Sequence, residues 1–554
     1  MCAAQPRAAG RVTETVEPEV SKALAPIDAA VAPAQSVDPP AVPPSPATAL
    51  NWPTTSAEAV RTNDVARIRL FMDVEGGWVP VDGAYRPRDE TPKRIPPPGA
   101  GAAARGAGNF RGAASGAGLS SPAPMGWPTG FLGVAAILAI AWLASADRAR
   151  VPWRTVAVGV GTQFAIAFLL LRFPPAVAAF DALARVVTRV ISFSDEGIRF
   201  VFGSLGDGSG PWGFVFAVRV LPIIVFFAAI VSILYHLGVM QRVIALVAWC
   251  LRKSMAVSGV EALSAAANIF VGQTEAPLTI KPFIPAMTRS QLMAVMTGGF
   301  ATIAGSVMAA YVAMVGGTDE AARIEVAKHL MTASVMSAPA GLVLAKILVP
   351  ESEVVPDEST AGLRAMPRTA SNVVDAAAEG AADGLRLALN VGAMLVAFVA
   401  LIALLNWPLA ALSELDSRWL PIATWRAELG IPVLTFQNIL GFVLWPMAWL
   451  MGAGADSQSL AALMGTQVVA TELVAYMDLS QAVRDGTMST RGVTIATFAL
   501  CGFANLPSVA IQIGGLGAMA PARRADLARL GLRAMCAGAL ACWMTGAVAG
   551  IMLR

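Results

Sequence analysis

Charge is scarce in this chain. Only 14% of its 554 residues are Asp, Glu, Lys or Arg, against 56% hydrophobic ones, where a soluble globular domain carries about a quarter charged residues. With a mean hydropathy of +0.62, that deficit excludes a soluble protein and describes an integral membrane protein. The net charge of +3 is small and dispersed, which argues against nucleic acid as a partner. Histidine is rarer still: His236 and His329 are too few and too far apart for a metal cluster. The cysteines, Cys2, Cys250, Cys501, Cys536 and Cys542, have no paired spacing suited to zinc or a disulfide framework; four lie in apolar surroundings and read as small packing residues. With no nucleophile–base set and no ligand cluster, the sequence gives no ground for an enzyme or a resident cofactor. No apolar stretch stands at the N-terminus, so no cleavable signal peptide is expected.

What the chain does have, it states twice. Val271-Gly272-Gln273-Thr274-Glu275-Ala276-Pro277 sets a carboxylate in an almost uncharged stretch, and Gly299-Phe300-Ala301-Thr302-Ile303-Ala304-Gly305-Ser306-Val307 follows. Some two hundred residues on, Thr471-Glu472 is followed after a similar interval by Gly502-Phe503-Ala504-Asn505-Leu506-Pro507-Ser508-Val509. Repeated, interrupted hydrophobic segments point to a secondary transporter's binding site. Hydrocarbon tolerates neither an unpaired carboxylate nor an unwound backbone unless they line a cavity. Two such sites in one chain imply one shared cavity.

The remaining organisation follows from hydropathy. Residues 1–126 are rich in Ala, Pro and Gly and read as a disordered tail, with a candidate strand pair within 57–86. Residues 127–260 hold spans at 127–145, 156–171 and 220–237, an amphipathic surface helix at 180–201 and a basic interfacial helix at 240–255. The first repeat, 261–349, reads as a re-entrant hairpin, a span broken near 300–306, and a fifth span in which Lys346 can snorkel to the interface. Residues 350–456 supply a connecting loop and surface helix, a sixth span at 391–412, and an interfacial segment at 431–451. The second repeat, 457–554, holds the second hairpin, a broken span at 494–520 and a last unbroken one. The fold class expected is all-α and membrane-integral, with eight spans and two re-entrant hairpins in an inverted repeat. Arg148, Arg150 and Arg154, then Arg252 and Lys253, then Arg523, Arg524, Arg529 and Arg533 fall on one side in that count. That side is expected to be cytoplasmic, leaving both termini outside.

The sequence resembles the concentrative nucleoside transporter family. The residues that carry the resemblance are Asn268-Ile269-Phe270-Val271-Gly272-Gln273-Thr274-Glu275-Ala276-Pro277-Leu278, Ala499-Leu500-Cys501-Gly502-Phe503-Ala504-Asn505 and Ile511-Gln512-Ile513-Gly514-Gly515. It runs from about 127 to the C-terminus. It implies a homotrimer in the cell membrane whose protomers move a nucleoside by an elevator-like motion. By the same resemblance the base is bound by Gln273, Thr274 and Glu275 with Val307 nearby, and the ribose by Glu472, Asn505 and Ser508 with Phe503 beside it. A sodium ion, the coupling ion, is implied at Asn268, Val271, Thr302 and Ile303. The second tip departs from the family's usual Asn-Glu-Phe-Val-Ala-Tyr, with Thr471 replacing the carboxamide and Gln467 standing at a position often lysine; a hydroxyl for a two-donor group bears on sugar recognition.

Taken singly, these residues keep other readings. Glu275 and Glu472 can be structural carboxylates paired with a base, Asn268 a helix-interior hydrogen-bonding residue, Thr302 and Ser508 packing residues, and Phe503 a core aromatic. The run Gly514-Gly515-Leu516-Gly517 reads as a close-packing surface, since no strand precedes it. For function, a sodium-coupled nucleoside symporter stands first and a proton-coupled one second. A channel is disfavoured because a deep two-sided polar site binds too specifically to conduct quickly.

Overall fold

The computed structural model describes residues 126–206, 215–317, 319–355, 370–416, 421–428 and 433–553. The expected tail, with its candidate strand pair at 57–86, lies outside the described residues. Among them the secondary structure is helical, apart from one isolated bridge between Asp416 and Pro421. Among the described residues six helices or helix pairs are long and apolar enough to cross a bilayer, and three shorter apolar helices join them.

In chain order the helices are α1 (Gly126–Leu143), α2 (Trp153–Leu171), α3 (Pro174–Phe202), α4 (Leu221–His236), α5 (Val239–Met255) and α6 (Gly259–Asn268). After a 3-10 arm (Ala276–Ala286) come α7 (Arg289–Ala301), α8 (Gly305–Gly316), α9 (Glu320–Leu348) and α10 (Val373–Ser413). Then follow α11 (Ile422–Glu428), α12 (Phe436–Leu450), α13 (Ser457–Val469), α14 (Glu472–Arg484), α15 (Thr490–Ala499), α16 (Leu506–Met519) and α17 (Arg524–Met552).

Both repeats take the expected form of a helical hairpin followed by a broken helix. α6 and the 3-10 arm make hairpin 1, and α13 and α14 make hairpin 2. The return arm of hairpin 1 is a 3-10 helix because Pro282 and Pro285 lie inside it, where each lacks the N–H of a regular α-helical ladder. The breaks fall at 302–304 and 500–505, where Gly and Pro weaken an apolar run. Most half-helices are started by a side-chain cap. Ser258 with Glu261 and Thr288 with Gln291 form capping boxes on α6 and α7, while Thr471, Ser489 and Asn505 cap α14, α15 and α16. α8 has no side-chain cap. Its first N–H, on Gly305, donates instead to Phe270 O in hairpin 1 at 3.0 Å.

The two breaks lie against each other. Phe503 N donates to Thr302 O at 3.3 Å, and the Cys542 thiol on α17 reaches Ala301 O at 3.5 Å and Cys501 O at 3.6 Å. The approach needs glycine: a Cβ on Gly502 would stand 2.6 Å from Phe300 O, and one on Gly538 2.3 Å from Phe300 Cβ.

The hairpins enter from opposite ends. Hairpin 1 is tied at its base to the end that holds Ser258, Met287 and Val349: Gln291 Nε2 donates to Ser258 Oγ, Ser290 Oγ to Val349 O, and Arg523 to Met287 O. Ala146 N donates to Leu348 O there too, so the basic loops after α1, after α5 and before α17 gather at one end, as their charge predicts. Hairpin 2 is tied to the other end, where Ser489 binds Asp456 and Arg491 reaches the carbonyls of Gly452 and Gly550.

The amphipathic segment is α3, whose buried residues Ala184, Thr188, Ile191, Ser194 and Ile198 fall every three or four positions along one face. Its Asp181 and Asp195 pair with Lys328 at 3.1 Å and Arg219 at 3.7 Å. The expected surface helix before the sixth span and the span itself are one 41-residue helix, α10, because its polar Ala-rich start has helix propensity enough to continue the apolar part. Two of the four cysteines expected to be packing residues, Cys501 and Cys542, are buried; Cys250 and Cys536 are exposed. Within the glycine run only Gly515 is pressed by another element from the first repeat, with Thr274 Cγ2 at 3.1 Å from a Cβ placed there.

Lys346 does not snorkel. It is buried, 2.6 Å from Glu261 Oε1, and donates to Ser290 Oγ at 3.1 Å, because the base of hairpin 1 brings a carboxylate within its reach. Lys346→Met should therefore strand the Glu261 charge and cost about 3–5 kcal/mol, whereas removing both charges costs much less. Melting of the detergent-solubilised protein should fall sharply for Lys346→Met and recover when Glu261→Gln, which keeps the capping box, is added. A double variant as unstable as the single one would show that the pair is not what holds this end.

Candidate functional site

The residues singled out in the two repeats converge, but in two compartments. α16 carries Asn505, Ser508 and Gln512 at spacings of three and four, hence on one face, and α8 carries Val307 and Tyr311 likewise. Hairpin tips then meet these faces from either side.

At the tip of hairpin 2, Glu472 is buried at 5% exposure and both its oxygens are occupied. Tyr311 donates its hydroxyl to Oε1 at 2.8 Å, and Asn505 donates Nδ2 to Oε2 at 2.6 Å. Asn505 is oriented in turn, because its Oδ1 accepts from Ser508 N at 2.8 Å as the cap of α16. Tyr311 lies flat on Tyr476, with ring centroids 4.4 Å apart, and the Tyr476 hydroxyl donates to Thr497 O. A carboxylate offers about four lone-pair sites, so two stay available for another donor. Thr471 accepts from Val474 N at 3.3 Å, so the hydroxyl that replaces the carboxamide serves as the helix cap. Gln467, fully buried, donates Nε2 to Leu500 O at 3.3 Å and Gly502 O at 3.0 Å, holding carbonyls at the second break.

At the tip of hairpin 1, Glu275 is exposed and folds back on its own turn, accepting from Gly272 N at 2.6 Å. It faces a cavity of about 540 Å³ bounded by the tip, by Ala304 and Ser306 of the first break, and across from them by Tyr235 of α4 and Asp383 of α10. That volume lies within the range of about 300–1,000 Å³ typical of small-molecule pockets. Three carboxylates, Glu275, Glu379 and Asp383, line it against one lysine, Lys281. Gln273 is buried behind the tip, with its Oε1 accepting from Gln512 Nε2 at 3.0 Å. Thr274 is half-buried over Gly515. Val307 is buried, and Phe503 half-buried at the second break.

Asn268, Val271, Thr302 and Ile303 are all buried where hairpin 1 meets the first break. Asn268 donates Nδ2 to Ser264 O at 3.0 Å, while its Oδ1 has no partner. Thr302 donates its hydroxyl to Gly298 O at 2.9 Å, which leaves the oxygen's lone pairs. A Cβ on Gly298 would stand 3.3 Å from Asn268 Nδ2, so the two residues share this neighbour. Among the described residues the carbonyls of Val271 and Ile303 accept no backbone hydrogen bond. An uncharged group of oxygens suits a hard monovalent cation, and no cluster of three or more His, Cys, Asp or Glu is found among the described residues for a transition metal.

Glu275 and Val271 thus line the cavity, Glu472, Asn505 and Ser508 form a buried network beside it, and Gln273 joins the two through α16. Sequence reasoning missed Tyr311 and Gln512 as members. The spacing of Tyr311 from Val307 by one helical turn was the available signal. Tyr311→Phe keeps the ring stack and removes one hydrogen bond to a charged acceptor, so it should lower stability by about 1.5–3 kcal/mol. Thermal unfolding of the purified protein measures this, and an unchanged midpoint would show that Glu472 does not depend on the phenol.

Three family models match in succession: Na+ dependent nucleoside transporter N-terminus over 132–205, Nucleoside recognition over 217–318, and Na+ dependent nucleoside transporter C-terminus over 329–550. An uncharacterized transporter of Haemophilus influenzae is 44% identical over 427 residues, covering 76% of this chain and 97% of that protein. Sodium/nucleoside cotransporter 1 of Mus musculus is 39% identical over 437 residues, 76% of this chain and 63% of that protein. Among solved structures, CNTnw in an inward-facing substrate-bound state is similar at 40% identity with a TM-score of 0.68, covering 77% of this chain and 97% of that one.

Proposed function

This chain belongs to the concentrative nucleoside transporter family, multi-pass membrane proteins that transport and do not catalyse, and we propose that it is a sodium-coupled nucleoside symporter working by alternating access. The observation that carries the sodium reading is the fully buried, unpartnered Oδ1 of Asn268, together with the carbonyls of Val271 and Ile303 that accept no backbone hydrogen bond among the described residues. A buried amide oxygen without a donor is costly, and a cation offsets that cost. Asn268, Val271, Thr302 and Ile303 then hold the ion through groups that do not titrate near neutral pH. Names among the relatives agree, since sodium/nucleoside cotransporters of mouse and rat are 39% identical to this chain.

The nucleoside is bound between the hairpin tips, the base at Gln273, Thr274, Glu275 and Val307, the ribose at Glu472, Asn505 and Ser508 with Phe503 alongside. Hairpins entering from opposite ends, each about half a span deep, act as re-entrant gates. The body formed by the two repeats slides as an elevator against α4 and α10. α10, most of whose apolar residues are not buried within the chain, offers its face to lipid and to the other copies of a homotrimer. The basic end is cytoplasmic.

Uptake into proteoliposomes should rise with an inward sodium gradient at fixed pH and drop several-fold for Asn268→Ala or Thr302→Val. Uptake driven equally by a pH gradient without sodium would establish the proton-coupled alternative. The same assay tests substrate class. A phosphate would meet three carboxylates in a site of reduced dielectric, so uridine, cytidine or adenosine should compete for uptake and uridine monophosphate should not. Strong competition by the monophosphate would sink the nucleoside assignment.

A further inference from the structure

Gln512 makes contacts that reach beyond packing. It sits on α16, in the second repeat, 1% exposed, yet both protons of its amide go to the first: Nε2 donates to Met296 O of α7 at 3.1 Å and to Gln273 Oε1 at 3.0 Å. Its own Oε1 is buried without a partner. That orphaned oxygen identifies a constraint, because the opposite orientation of the amide would set oxygen against the Met296 carbonyl, which can only accept. The direction of Gln512 is therefore fixed by a backbone atom. Since Gln512 donates to Gln273, the atom of Gln273 that meets it must be the oxygen, and the Gln273 amide is fixed in turn. Gly299 makes the contact possible: a Cβ there would stand 2.7 Å from Gln512 Nε2 and 2.9 Å from Gln273 Cβ.

We propose that Gln512 is a positioning residue that determines base specificity by holding Gln273 with its N–H2 group outward. With Oε1 committed to Gln512, the part of Gln273 left without a partner among the described residues is Nε2, which can only donate. The edge of the base that meets hairpin 1 must then accept: a carbonyl oxygen or an unprotonated ring nitrogen is matched there, and an exocyclic amino group is opposed. This rests on the reading of Gln273 as a base-binding residue. It predicts discrimination between nucleosides that differ by a single donor–acceptor exchange, such as uridine against cytidine and inosine against adenosine.

The test is competition for uptake by purified protein in proteoliposomes, with rates normalised to reconstituted protein and KM and Vmax separated for each member of the two pairs. The parent should favour one member of at least one pair through KM. Gln512→Met keeps the length of the side chain and frees Gln273 to turn, so that KM ratio should collapse toward unity by about three- to tenfold, the worth of one neutral hydrogen bond. Gln273→Glu keeps an acceptor for Gln512 and puts a second acceptor outward in place of the donor, so the preference should reverse. A role in packing alone would lower Vmax for all nucleosides together and leave the ratios where they were; that result in Gln512→Met overturns the proposal. If Gln512→Met does not reconstitute, Gln273→Glu decides, and a preference equal to the parent's overturns it. A parent that takes up no nucleoside would refute the transport reading instead.

Discussion

A peptide group freed from its helix finds no partner in hydrocarbon. This fold twice interrupts a helix within the membrane-embedded part, and much of its tertiary structure follows from where the freed groups go. The breaks are set against each other, with Phe503 N on Thr302 O, and the Cys542 thiol bridges carbonyls from both. Gln467 takes two carbonyls of the second break, and Phe270 O takes the first N–H of α8. At the junction of hairpin 1 with the first break a buried amide oxygen, Asn268 Oδ1, is left without a donor. An unpaired buried group beside an interrupted helix calls for an explanation, and a bound ion supplies one.

The two tips share a Thr-Glu dipeptide and differ in surroundings. Glu472 is held from both sides by neutral donors on α8 and α16, in a pocket closed by stacked tyrosines. Glu275 has a single backbone partner and opens on a cavity. A duplicated motif has thus been divided into a rigid acceptor and a more accessible one. The asymmetry extends to the helix starts beside them, since α16 is capped by its own Asn505 whereas α8 borrows a carbonyl from the hairpin.

Much of this was legible because the signals are local. Glycines, prolines and a carboxylate inside apolar runs locate both tips, and the break expected at 300–306 is found at 302–304. The basic loops gather at one end as their charge foretells. The parts that were not legible depend on contacts remote in sequence. Nothing near Lys346 announces Glu261, and nothing near Gln467 says that it serves the second break. Tyr311 reaches Glu472 across 161 residues, and Gln512 reaches Gln273 across 239. The fusion of a surface helix with a span in α10 was hidden for another reason: hydropathy marks where a segment can be buried, not where a helix stops.

The pairing of the breaks also sets an order of events during synthesis. Ala301 and Thr302 emerge from the ribosome long before their partners, since the bond from Cys542 to Ala301 spans 241 residues. Until α17 is made, the first repeat carries exposed carbonyls into the bilayer or waits at its surface with water as a substitute. The first half cannot close its own interruption, because Ala301 O and Thr302 O are met by Cys542 and Phe503 of the second, so it does not mature as an independent unit in the way that domains of soluble proteins commonly do. The last helix, α17, thus completes contacts that the first repeat cannot make by itself.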